Sequence, residues 1–291
     1  MEKIKWSQIS FYIAVSFGFS WCVALYLWSK NGLETPLAGV FLFLFMFGPM
    51  IGGLAAAQRF NPKERLHVLG LKDSFSRGLN RWLIIAWLWA IGLVALATLL
   101  SGILGGGGFQ PPVEGLKTTL IEQGYEKDLS ALDDIPAINL ILILQAVILG
   151  AAINMILLLS EELGWRGWLW TALHPLGFWR SAGLTGLLWG VWHAPIIIMG
   201  YNYPAMPVWG PIMFTGFCIL YSPLYSYLRE KNGTVWAACL LHGAGNAVAG
   251  VGLMIQANSD MPWRGIVGLG GVAALLLSCL WVWLQRSKRS D

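Results

Sequence analysis

Residues 157–170 read LLLSEELGWRGWLW: an apolar run stops at two adjacent carboxylates, Glu161 and Glu162, and Arg166 stands one helical turn further on. Upstream, residues 135–160 carry no charged side chain. A helix over that stretch is long enough to cross about 30 Å of hydrocarbon, which takes roughly 20 residues. Composition puts the whole chain in the same solvent. Of its 291 residues 56% are hydrophobic and 12% charged, with mean hydropathy +0.62, too apolar a set to enclose one core and still cover itself with water-seeking groups. The expected fold class is all-α, a polytopic membrane helix bundle of about eight spans enclosing a polar cavity.

Apolar runs of spanning length lie at about 9–28, 36–57, 82–104, 137–160, 181–199, 207–228, 234–255 and 265–284. The fifth and sixth are the weakest, interrupted by Pro195, Pro211 and Pro223, breaks that a bundle tolerates where neighbouring helices satisfy the freed carbonyls. The first follows MEKIK and lacks a small-residue cleavage site behind it, so it reads as a retained anchor. The whole of 1–291 is expected to form one integral membrane domain, with the chemistry-bearing core at 140–255.

Lys and Arg near span ends stay cytoplasmic. Threading the spans alternately places Lys3, Lys5, the loop QRFNPKERLHVLGLKDSFSRGLNR (58–81), Arg166, Arg180, Arg229, Lys231 and the tail QRSKRSD (285–291) on one side, fifteen of nineteen basic residues. The 105–136 segment on the other side is acidic, with Glu114, Glu122, Glu126, Asp128, Asp133 and Asp134 against Lys117 and Lys127. Both termini are therefore expected in the cytoplasm. The net charge of +4 reflects membrane orientation and implies no nucleic-acid partner. GGGG at 105–108 reads as a flexible exit from the third span, followed by a short surface helix around 115–130. Cys22, Cys218, Cys239 and Cys279 lie inside spans at no metal-binding spacing and read as packing residues. The seventeen tryptophans read largely as interfacial anchors.

Ionisable groups at membrane depth are costly, so each needs a partner or a function. Glu162 and Arg166 are spaced to pair on one helix face, whereas Glu161 is rotated about 100° from Glu162, which leaves one carboxylate for another task. In the fifth span GLLWGVWHAP sets His193 in apolar company two residues before Pro195. In the seventh, LLHGAGNAVAG sets His242 and Asn246 one turn apart, with Gly243, Gly245 and Gly250 allowing close approach by another helix or a substrate backbone. His67 and His174 fall in cytoplasmic loops and read as structural. A carboxylate, two histidines and an amide suit general-base activation of water, with a donor pair for the oxyanion of an attacked carbonyl. No Ser or Cys stands in motif with them, so a covalent nucleophile has no support.

EELGWRG resembles the EExxxR motif, WGVWH the FxxxH motif and HGAGN the HxxxN motif of the CAAX protease and bacteriocin-processing family, which includes the type II CAAX prenyl endopeptidases. The resemblance implies that Glu161 activates water with help from His193, that His242 and Asn246 form the oxyanion hole, and that Glu162 and Arg166 support Glu161. Trp189 stands where the motif has Phe, a change expected to alter the wall of the substrate pocket. No obligatory cofactor is implied; the alternative is Zn²⁺ held by Glu161, His193 and His242 with a water in the fourth position. Expected partners are the lipid bilayer and a membrane-associated peptide or lipidated protein, prenylated in the eukaryotic relatives. The chain looks more like a prokaryotic member, of an inner or plasma membrane. Rival readings are a non-catalytic scaffold or bacteriocin-immunity protein and, more weakly, a transporter. The sequence does not indicate an oligomeric state.

Overall fold

The structure, a computed structural model, describes residues 4–72, 76, 78–122, 124–125, 127–257 and 262–288. Of the charge pattern, Lys3, Asp73, Arg77, Glu126, Arg289 and Asp291 lie outside the described residues. The described chain is helical apart from turns and one isolated antiparallel bridge, Phe109 to Gln256. Helices form over all eight expected segments. Seven are long and apolar enough to cross a membrane: Trp6–Trp28, Ala38–Phe60, Arg81–Leu104, Ile138–Leu176, Phe178–Ile198, Trp236–Ile255 and Leu269–Ser287. The second of these turns at Met46 and Phe47. The eighth helix, Trp209–Asn232, falls short in apolarity, because Tyr221, Ser222, Tyr225, Ser226, Tyr227, Arg229, Glu230 and Lys231 crowd its second half. Most of that half is buried in protein.

The helical path through the two glutamates does not end there. It runs from Ile138 to Leu176, with π-helical turns at Gln145–Gly150 and Leu163–Leu169 and a single turn residue, Leu158, between its halves. The halves have opposite surroundings. Leu140, Ile141, Leu144, Ile148, Leu149, Ile153 and Ile156 are exposed, as lipid-facing residues are, whereas every residue from Ser160 to Trp170 is buried. The carboxylates therefore mark a passage from a lipid-facing helix to an interior one.

The chain divides into two compact units, Met1–Ile84 with Leu157–Cys239 and Cys279–Asp291, and Ile85–Ile156 with Leu240–Ser278. In the first, small residues let backbones touch, the usual device of membrane helices. A Cβ on Gly48 or Gly52 would meet Ser20 or Ser16 of Trp6–Trp28, and one on Gly186 or Gly190 would meet Cys218 or Thr215 of Trp209–Asn232. The π-helical turn is seated in the same way: Gly53 faces the Leu163 carbonyl, Gly164 the Pro49 carbonyl and Gly167 the Leu69 carbonyl. Gly164→Ala is expected to destabilise by about 1–3 kcal/mol, because its methyl meets backbone that cannot rotate away; the gain of about 1 kcal/mol in helix propensity does not offset this. Gly183→Ala is the control, since nothing lies within 4 Å of its Cβ position. Thermal unfolding in detergent should lower the midpoint for the first and leave or raise it for the second; equal midpoints would refute the packing argument.

In the second unit the surface helix is Pro112–Glu122, starting three residues earlier than expected with its proline at the first position, where the missing N–H costs nothing. Val113 N donates to Asn139 Oδ1 at 2.9 Å. Lys117 binds Asp133 at 2.6 Å and Glu114 at 3.2 Å, and the bond to Asp133 raises the Lys117 ammonium above the usual lysine range. At GGGG, Gly106 and Gly108 take positive φ, Gly108 N donates to Gly102 O, and Gly105 lies against Trp263. Of the cysteines, Cys218 and Cys239 are buried as expected, Cys279 Sγ lies 3.0 Å from Leu220 O, and Cys22 is exposed and packs no interior.

Candidate active site

In the first unit Glu161 is 4% exposed, and Glu162 and Arg166 are 0% exposed. Isolated charges at such depth cost several kcal/mol each unless geometry compensates. For Arg166 the compensation is extensive. Its Nη1 donates to Glu162 Oε1 at 3.2 Å and its Nη2 to Ser222 Oγ at 3.3 Å. Its guanidinium lies 4.2 Å from the Tyr225 ring centre and 4.8 Å from that of Trp189, distances at which the negative face of an aromatic ring attracts a cation. The expected pair of Glu162 and Arg166 is therefore present. Arg166, counted with the cytoplasmic charges in the sequence, is buried in protein on the continuing helix and not exposed at its flank.

Glu161 points elsewhere. Its Oε2 accepts a hydrogen bond from Trp189 Nε1 at 2.9 Å. The carbonyl of the same tryptophan lies 2.9 Å from His193 Nδ1. A carbonyl only accepts, so Nδ1 carries the hydrogen and the lone pair of the neutral ring falls on Nε2. The imidazole is enclosed by Trp192 at 4.5 Å, Phe214 at 4.7 Å and Trp189 at 6.0 Å between ring centres, the partly apolar wall expected from its neighbours in sequence. The helix Phe178–Ile198 continues through Pro195, with Met199 N donating to the proline carbonyl.

His242 and Asn246 belong to the second unit, on Trp236–Ile255. His242 is buried and Asn246 exposed. Beside them Gly243 allows the close approach expected of it, against the backbone of Asn154 and Met155, and Asn154 Nδ2 donates to Gly243 O at 3.4 Å. The Cβ position of Gly250 faces open space, with nothing within 4 Å. No group of three His, Cys, Asp or Glu side chains among the described residues is disposed to hold a metal ion.

Compared with known families, residues 137–248 match the model described as Rce1-like, type II CAAX prenyl endopeptidase Rce1-like. The match covers less than half of the 291-residue chain, and it is this segment that resembles the family. No curated protein and no solved structure matches the chain. With its seven membrane-length helices, the chain is an integral multi-pass membrane protein, and its 137–248 segment is similar to the CAAX protease family. All seven residues singled out from the sequence, Glu161, Glu162, Arg166, Trp189, His193, His242 and Asn246, fall inside the matched segment, while residues 1–136 and 249–291 lie outside it.

Three contributors to the buried arginine and glutamates escaped the sequence reading: the indole N–H of Trp189, the hydroxyl of Ser222 and the ring of Tyr225. A signal for two of them existed. YSPLYSYLR at 221–229 repeats hydroxyl-bearing residues every four positions in the one span whose hydropathy is marginal, and such residues in a membrane helix call for polar partners.

Proposed function

We propose that this chain is an intramembrane endopeptidase that hydrolyses a peptide bond of a membrane-associated substrate with water activated by Glu161. One observation carries the reading: two adjacent glutamates are given different partners. Glu162 is ion-paired with Arg166, and Glu161, 4% exposed, accepts a hydrogen bond from the Trp189 indole on the helix that also carries His193. A carboxylate with a cation against it is a poor base, which makes Glu162 the supporting glutamate of the two. Glu161 accepts a proton from water as the oxygen attacks the carbonyl carbon. His193, its lone pair on Nε2, helps to orient that water. His242 and Asn246 donate to the oxyanion, a role supported by their place in the segment that matches the Rce1-like model. The tetrahedral intermediate collapses as the proton held by Glu161 passes to the leaving amine. The C–N bond breaks, and no covalent enzyme intermediate forms.

The reaction is written without an obligatory metal; Zn²⁺ bound through Glu161, His193 and His242 is the alternative that a chelator separates. The family description supports a prenylated peptide as one substrate class. The test is cleavage of prenylated and unprenylated membrane peptides by purified protein in liposomes, with and without phenanthroline. Cleavage untouched by the chelator is expected. Inhibition reversed by added Zn²⁺ would favour the metal, and no cleavage by well-folded protein would favour a scaffold.

The basic flanks further support cytoplasmic termini. A reporter fused after Asp291 should be cytoplasmic; activity of the reporter on the opposite side would reverse the topology.

A further inference from the structure

We infer that Trp189 is a positioning residue that holds both Glu161 and His193 in their working geometry, and that its indole N–H is the specific feature required. The inference rests on the function proposed above. Trp189 was expected to shape a pocket wall, yet it makes three separate polar contacts in the first unit. Its side chain donates to Glu161 Oε2 at 2.9 Å, its main-chain carbonyl accepts from His193 Nδ1 at 2.9 Å, and its ring lies 4.8 Å from the Arg166 guanidinium. The ring is 2% exposed and also meets the edge or face of Tyr225 at 5.5 Å, so it has little freedom to turn.

These contacts reinforce one another. A cation over the face of an indole draws on its electron density and makes its N–H a better donor, as adjacent polar interactions polarise each other in low dielectric. Arg166, already paired with Glu162, therefore strengthens the bond to Glu161. Glu161 gains orientation from this neutral donor. The phenylalanine of the FxxxH motif has no N–H to offer. At this position a phenylalanine removes the bond that orients Oε2 of the carboxylate, while the carbonyl contact to His193, which belongs to the backbone, persists. The dependence on an indole is thus a property of this chain's own residues.

The test compares two replacements of Trp189 in liposome-reconstituted protein. Trp189→Phe removes the N–H and keeps a ring beside Arg166. Benzothienylalanine at the same position keeps the bicyclic shape and substitutes sulfur for N–H, so it reads the bond even where the smaller ring leaves a void. Each is expected to lower kcat by about 10- to 100-fold with KM changed by less than about twofold, the pattern of a misplaced base and an intact substrate site. Loss of kcat in the benzothienylalanine protein with its unfolding temperature preserved supports the inference. Wild-type kcat in that protein, with Glu161→Gln inactive, overturns the inference and leaves the proposed function standing. An active Glu161→Gln overturns both.

Discussion

Glu161→Gln is expected to lower the peptidase rate by about 10²–10⁴-fold, the usual contribution of a positioned general base, while leaving the fold intact. Glutamine has the shape of glutamate, and its amide oxygen can still accept from Trp189 Nε1, so the contact that anchors position 161 survives. Only the capacity to take a proton disappears. The neighbouring substitution makes the contrast. Glu162→Gln removes the anion that faces the wholly buried Arg166 and should show first in stability. Rate measurements on both variants, each paired with an unfolding curve, separate the two glutamates. If Glu161→Gln kept more than about a tenth of wild-type activity, by the same scale for a general base, the base would have to be Glu162 or a metal-bound water.

Arg166→Met should cost about 3–5 kcal/mol of stability, the penalty of leaving one member of a buried ion pair alone. Methionine fills much of the arginine stem's volume, so the loss is electrostatic: Glu162, 0% exposed, loses its counter-charge, and Ser222 and the faces of Tyr225 and Trp189 lose theirs. The double replacement Glu162→Gln with Arg166→Met should recover a large part of that cost, because removing both charges also removes their desolvation. Denaturant unfolding of the single and double variants in one detergent measures the coupling. A single variant within about 1 kcal/mol of wild type, against a surface-pair value of that size, would mean that the pair is hydrated and not interior.

The spans were readable because the bilayer sets a length threshold that each segment meets or fails by itself. Trp209–Asn232 shows the limit of that rule: its polar second half finds partners inside protein, which local hydropathy cannot register. The pairing of Glu162 with Arg166 was readable for a similar reason, since residues four apart share a face of any helix. The three motifs also lie within residues 137–248, the segment that matches the Rce1-like model.

Local rules stop where helices meet. The sequence places Glu161 on a different face from Glu162, but the donor it finds is 28 positions away, and only the seating of Phe178–Ile198 in the first unit brings the Trp189 indole to it. Arg166 likewise reads as an interfacial charge until Gly164 and Gly167 press the π-helical turn onto the Pro49 and Leu69 backbone and draw it into the interior. Periodicity along a chain fixes which side chains share a face. The rotation and depth of that face against its neighbours arise from packing over long sequence separations, where the presence or absence of one Cβ decides how close two backbones come.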